Sequence, residues 1–321
     1  MASRPGALAG YGSRRNVTAS QVIGVDVGAT KILGGLVGPD GSLGRRVRIP
    51  STVGSQEELL AALDSVVSEL LVDDVAAIGF GIPSRIDQRS GRVVGTVNLP
   101  LANVDFRGRM AEKFGLPVGI DNDAHVAAIG EWRAGAGRGV QNMVMLTLGT
   151  GVGGGIILNG RPFRGATGSG CEFGHMVVQH NGPPCYGNCT GRGHLEALAS
   201  GHVAGQLARE SFGPHADSRE LVRLGEEGNE RALEILRGIG EALGSALGSI
   251  VNIFNPELIV IGGGFAAAGE LILTPARERM LVEGLTPGKD MVRVVRAELG
   301  SDAGLVGSGF VAYEAYEQNG V

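Results

Sequence analysis

Three short stretches of this 321-residue chain combine residue types suited to handling phosphate. Asp26-Val-Gly28-Ala-Thr30-Lys31 sets a carboxylate at a strand end, then a permissive turn, a hydroxyl and a cation. In that order Asp26 would hold Mg²⁺ directly or through water, while Thr30 and the turn amides meet phosphate oxygens. Leu148-Gly149-Thr150-Gly151 and Ile261-Gly262-Gly263-Gly264 repeat the theme of a strand followed by a glycine turn. Gly149 to Gly154 also satisfies G-x-G-x-x-G, but a dinucleotide fingerprint needs a helix after the loop, and Gly155-Ile-Ile-Leu158 reads as a strand. The turn at Gly262 to Gly264 imitates that fingerprint better, yet no acid-ended strand follows at the expected offset, so a dehydrogenase is a distant alternative. No G-x-x-x-x-G-K-[ST] occurs, which excludes a P-loop enzyme.

A second constellation has metal-ligand character. His175, Cys185, Cys189 and His194 are separated by nine, three and four residues, and four nitrogen and sulfur donors in one short segment match a closed tetrahedral zinc site. The three cysteines, Cys171 included, lie within 19 residues of each other. An odd, clustered count suits a metal site or a reducing compartment better than a disulfide scaffold. Cys171 is expected to pack as a small apolar residue. Ile120-Asp121-Asn122-Asp123-Ala124 ends a strand and opens a helix, so its polar side chains should face a cleft. Taken alone, Asp123 reads as a cap or first-turn acid there.

The elements that must position these groups follow from hydrophobic period. QVIGVDVG, KILGGLVG and RRVRIP read as strands, Gln56 to Leu71 as a helix, Val75 to Phe80 and LPVGIDN as strands, and Asp123 to about Trp132 as a helix. NMVMLTLGTGVGGGIIL repeats the opening strand–turn–strand. Glu230 to Phe254 is a long amphipathic helix, ELIVIGGG a strand, and Asp302 to Tyr316 a final helix. The two strand–turn–strand units stand about 120 residues apart, close to one domain length, and suggest a duplicated α/β unit clamping one ligand between two glycine turns.

Composition narrows the function. A chain with 43% hydrophobic and 19% charged residues is globular, and 56 glycines without a Gly-X-Y period mark turns and close backbone approaches rather than collagen. Only 4% aromatics and a net charge of −5 argue against nucleic-acid binding. No uninterrupted apolar run is long enough to span a membrane, and residues 1–20 read as a flexible tail without a secretory signal. A cytoplasmic setting is expected.

With DVGATK, LGTGVGGG and VIGGG in this order, the chain resembles the ROK family of sugar kinases and repressors, within the actin-like ATPase fold shared with hexokinases. The resemblance runs from Gln21 to Tyr316. It implies a two-domain α/β fold with the ligand cleft between a smaller domain, residues 21–122 plus 303–321, and a larger one, 123–302, that carries the zinc loop. ATP-binding positions would be Asp26, Gly28, Thr30, Lys31, Thr150, Gly151, Gly263 and Gly264, with Ala29 standing where the family often has a second glycine. The resemblance places the catalytic base at Asp123, with Asp121 as the fallback acid. It places hexose contacts at Asn98, Asn122, Asp123, Glu172, His175 and Glu196. The family typically has a histidine followed by three cysteines, C-x-C-G-x-x-G-C-x-E; CYGNCTGRGHLE has a wider first gap, and His194 occupies the last cysteine position. Family repressors carry a helix-turn-helix ahead of this core, and about 20 residues before the first strand are too few for one.

The expected function is therefore ATP- and Mg²⁺-dependent phosphorylation of a hexose at the 6-hydroxyl, glucose to glucose 6-phosphate, with structural zinc. The alternatives are an N-acetylglucosamine or N-acetylmannosamine kinase and a non-catalytic sugar sensor. Ser84, in the loop Gly81 to Asp87, replaces a common family glycine on the sugar's 2-position side. Expected partners are hexose and ATP, not nucleic acid or membrane, with assembly as a homodimer or homotetramer.

Overall fold

The two strand–turn–strand units each seed a five-stranded sheet. In the computed structural model, which describes residues 21–51, 54–96 and 99–319, Gln21–Val27 (β1), Lys31–Val37 (β2) and Leu43–Pro50 (β3) form an antiparallel meander. The helix Gln56–Leu70 (α1) crosses over to Val75–Ile82 (β4), which pairs with β1 in parallel. Ser55 caps α1 by accepting from the Glu58 amide, and Glu58 reaches back to the amide of Gly54, so the crossover starts at a defined residue. Ser84–Asp87 (β5), Arg92–Thr96 (β6) and Ala102–Asp105 (β7) make a small separate antiparallel sheet. After Phe106–Phe114 (α2), Val118–Asn122 (β8) completes the first sheet, order β3-β2-β1-β4-β8. Asp123–Ala134 (α3) follows.

The same plan then recurs. Met143–Leu148 (β9), Val152–Leu158 (β10) and Arg161–Phe163 (β11) form a meander, and Leu258–Gly262 (β12) and Arg293–Arg296 (β13) add in parallel, order β11-β10-β9-β12-β13. Between them lie Glu196–Ala199 (α4), Gly201–Phe212 (α5), Ser218–Glu226 (α6), Glu230–Phe254 (α7), Glu270–Glu283 (α8) and Gly288–Met291 (α9). Ala303–Gln318 (α10) closes the described chain. Both sheets are covered on both faces, which is why β4 and β12 are apolar runs without alternation.

A shared core lies between the sheets. Val22 and Ala77 of the first sheet, Met145 and Val260 of the second, Val126 of α3 and Val306 of α10 belong to one buried cluster. Much of the glycine content is spent here. Gly24, Gly79 and Gly119 are register partners across β1, β4 and β8. A methyl group on them would come within 2.5, 1.9 and 2.4 Å of the carbonyl oxygens of Leu305, Ser308 and Val311, one per turn of α10. Close backbone approach thus seats α10 on the first sheet. Gly307 comes as near to α3, where its methyl would meet the Val126 carbonyl at 1.6 Å. The crossing of α10 over α3 is thereby fixed. Residues 1–20 and Asn98 lie outside the described residues.

Candidate active site

The N-termini of α3 and α10 and the two glycine turns open onto one cleft of about 480 Å³. Asp26, Gly28, Asn122, Asp123, Thr150, Gly151, Glu172, Glu196 and Gly263 all line it. A second hollow of about 500 Å³ joins it at Gly149 and Thr150, lined by Gly264, Phe265, Ser218, Arg219 and Val222 among others. Thr30, Lys31 and His175 are not in the wall of either hollow.

The polar run at the end of β8 divides its labour. Asn122, and not Asp123, is the N-cap of α3: its Oδ1 accepts from the amides of Ala124 at 2.9 Å and His125 at 3.4 Å. Of the two readings of Asp123, cap or first-turn acid, the second holds, and its carboxylate stands in the first turn, facing the cleft. The Asn122 Nδ2 donates to the Ser84 carbonyl at 3.4 Å. Ser84 lines the same wall, its Oγ buried without a hydrogen-bond partner among the described residues. Asp121 faces the other way and is fully buried. Its Oδ1 accepts from His125 at 2.9 Å, Gln88 at 3.1 Å and the Asn122 amide at 2.8 Å, and its Oδ2 from Arg164 at 2.5 Å, so both oxygens are already committed to partners away from the cleft.

Electrostatics separates the acids in the same way. Burial raises the Asp123 carboxyl above the ordinary aspartate range, while the Ala124 amide and the His125 charge offset part of the rise. Burial and then the Asp123 charge push Asp26 up to about 6, with Lys31 pulling it back. Asp121 is held below the usual range: burial opposes ionisation there, but the His125 hydrogen bond and the Arg164 charge prevail. Two carboxylates that resist ionisation thus share the cleft, and one that is locked ionised sits behind it.

The Asp26 shift has a measurable consequence. Its folded pKa of about 6 lies above the model-compound value of 3.8, so its contribution to stability is fully present below about pH 4 and lost as pH rises through 6. Asp26→Asn should therefore raise the melting temperature at about pH 7.5, and the gain should vanish near pH 4, in thermal melts without ligand. Equal melting temperatures at the higher pH would contradict the shift.

The segment 175–194 folds back on itself. Val178 and Gln179 amides donate to the Gly193 carbonyl, Cys185 to that of Gly191, and Leu195 to that of Met176. His175 and His194 meet at the base of this loop, Cys185 and Cys189 at its tip. All four donor atoms lie within 4.8 Å of one another. His175 Nδ1 is 3.3 Å from His194 Nδ1 and 3.8 Å from Cys185 Sγ, and Cys189 Sγ is 3.6 Å from His194 Nδ1. With metal–nitrogen bonds of about 2.05 Å and metal–sulfur bonds of about 2.3 Å, a tetrahedron has edges of about 3.3 Å between nitrogens and about 3.6 Å between nitrogen and sulfur. Three of the six donor pairs stand at or near those edges, and all six lie within 4.8 Å, so the cluster needs little adjustment to close on a metal. Their loop connects Glu172 on one side to Glu196 on the other, and Glu196 Oε2 accepts from the Val152 amide at 2.9 Å beneath the Gly151 turn.

Two neighbours of this site have roles that sequence reasoning did not give them. Cys171 packs against the core as expected of a small apolar residue, but it also lines the cleft with a left-handed backbone (φ 66°), its thiol donating to the Phe163 carbonyl at 3.3 Å. His125, 6% exposed, joins Asp121 to the Gly170 carbonyl at 3.0 Å. Its four-residue spacing from Asp121 was the available signal.

The chain matches the model of the ROK family over residues 22–314. It is 34% identical to a glucokinase of Thermotoga maritima, across 92% of this chain and 98% of that protein. Among solved structures it resembles a ROK family glucokinase of Streptomyces griseus in complex with glucose and AMPPNP, with 30% identity, a TM-score of 0.79, and 92% and 99% of the two chains covered. A ROK hexokinase of Thermus thermophilus gives 33% identity and a TM-score of 0.81 over 93% and 99%.

Proposed function

The chain belongs to the ROK family, and from that premise we propose that it is an ATP-dependent hexose kinase that converts glucose to glucose 6-phosphate. The observation that carries this reading is the pairing of Asp123 and Asp26 in one cleft with the glycine turns at Gly28 and Gly149 to Gly151. The two-domain actin-like ATPase fold of such kinases would divide here into residues 21–122 plus the C-terminal segment from 303 and residues 123–302, with the cleft between them.

Asp123 would accept the proton of the 6-hydroxyl as its oxygen attacks the terminal phosphorus of ATP, and ADP leaves from the far side. The turn amides around Gly28 and Gly151 would meet the phosphate oxygens, and the hollow lined by Arg219, Val222 and Phe265 would take the nucleoside. Asp26 fits a Mg²⁺ site, since a buried carboxylate that resists ionisation is relieved by a cation; Mg²⁺ there would neutralise charge on the phosphates. Asn122 Nδ2, Glu172 and Glu196 would bracket the sugar hydroxyls.

Cys185, Cys189, His194 and Nδ1 of His175 fit structural Zn²⁺ by donor type and spacing, with His194 in place of the third family cysteine. Ligation through Nδ1 leaves the His175 Nε2 free for a hexose hydroxyl, so one side chain would serve both roles. The metal would hold the segment between Glu172 and Glu196 in one conformation.

ADP release with glucose, mannose, N-acetylglucosamine and N-acetylmannosamine tests the substrate. Glucose should give the highest kcat/KM. A preference for an N-acetylhexosamine would transfer the assignment to that sugar, and no turnover with any of the four would contradict a hexose kinase.

A further inference from the structure

The Asp121–His125 pair takes no part in the chemistry above, yet it is the most completely buried ionic group beside the cleft. His125 Nδ1 faces Asp121 Oδ1 at 2.9 Å and its Nε2 faces the Gly170 carbonyl at 3.0 Å. Both partners only accept, so the ring must donate from both nitrogens, which a neutral imidazole cannot do. The surrounding charges agree. Arg164 donates from Nε to Asp121 Oδ2 at 2.5 Å and from its two terminal nitrogens to Glu314 of α10 at 3.0 and 2.6 Å. With the imidazolium, two cations face two carboxylates. With a neutral ring, Asp121 Oδ1 would lose the cation that donates to it.

The Gly170 carbonyl belongs to the loop that presents Glu172. That loop leaves β11 at Arg164, its Gly170 amide donates back to the Arg164 carbonyl at 3.0 Å, and Cys171 takes the left-handed conformation just before Glu172. Glu172 itself is exposed to the cleft. The bond from the ring to Gly170 ties this loop to the β8–α3 junction that carries Asp123.

We infer that His125 is a positioning residue, held permanently as an imidazolium, that fixes the Glu172 loop against the Asp123 junction and so sets affinity for the hexose. This rests on the reading of Glu172 as a hexose contact. The groups facing the ring are Asp121 from β8, Asp123 at the start of its own helix, the Cys171 thiol from the loop, and Arg164 across Asp121. Burial opposes the charge, but the Asp121 hydrogen bond prevails and pushes the histidine up to about 10. Proton loss would turn a lone pair toward one of the two oxygens and release the loop.

The test combines spectroscopy and kinetics. ¹⁵N spectra of histidine-labelled protein at about pH 8, well above the ordinary histidine pKa of about 6.5, should show one ring with both nitrogens protonated, absent from His125→Gln. His125→Gln supplies a single short donor and should raise the hexose KM by roughly ten-fold or more, the scale of one hydrogen bond to a charged group, with the ATP KM within two-fold. Asp121→Asn removes the charge that keeps the ring protonated. Its hexose KM should then rise with pH across about 6 to 7, a step the parent lacks. A neutral His125 in the parent at about pH 8, or equal changes in both KM values in His125→Gln, would overturn the inference. If Asp121→Asn gives no cooperative melt, the parent spectrum and the His125→Gln kinetics decide alone. A parent without hexose-dependent ADP release would overturn the functional reading and the positioning role together, while the imidazolium would still stand or fall on the spectrum.

Discussion

Asp123→Asn should lower kcat by at least ~10²-fold while the hexose KM stays within a few-fold, because a positioned base contributes about 10²–10⁴ in rate and the amide keeps the shape of the carboxylate. The structure sharpens this expectation. Asn122 already satisfies the helix end, so the substitution removes a base without removing a cap. The pH profile of the parent carries the same information. Burial raises the Asp123 carboxyl, so kcat should fall on the acid side at a pH above the ordinary aspartate range of about 3.9, as the base becomes protonated. Steady-state kinetics of the two proteins check both points. A variant within a few-fold of the parent would assign the base elsewhere, and Asp121 could not take over, since all its oxygens are engaged by Gln88, Asn122, His125 and Arg164.

Loss of the loop metal should come next in size. Cys185→Ser or Cys189→Ser should leave the purified protein without its metal and cost on the order of 10–100-fold in activity, mostly as hexose affinity, because Glu172, His175 and Glu196 are no longer held together. Chelation with Mg²⁺ kept in excess should do the same. His194→Cys, which restores the commoner ligand set, should keep both metal and activity. Elemental analysis of the fully active parent should give close to one zinc per chain; below roughly 0.2, a closed structural site is ruled out.

The parts of this architecture carried by local pattern were legible in the sequence. The duplicated strand–turn–strand is a hydrophobic run broken by glycine, and it marks β1–β2 and β9–β10 without knowledge of the fold. The cluster of His175, Cys185, Cys189 and His194 was legible because its members fall within 20 residues. The cap of α3 was not: Asn122 and Asp123 are both good capping residues, and one residue of offset decides which is spared for the cleft. The small sheet β5–β7 escaped because its strands are short and partly exposed, with little alternation to read. Gly24, Gly79 and Gly119 become a row only once β1, β4 and β8 are in register, and α10, which needs that row, starts 184 residues after the last of them. His125 depends on a carbonyl 45 residues away. Pairings of that range are set by the fold, and no spacing announces them.

The account stands most directly on the product formed from ATP, Mg²⁺ and glucose. ³¹P spectra of the reaction should show ADP and a sugar phosphate appearing in equal amounts, with the ester on the 6-oxygen, and neither should accumulate with Asp123→Asn over the same time. ADP appearing without any sugar ester would show water, rather than a hexose, attacking the phosphate, and would contradict the account.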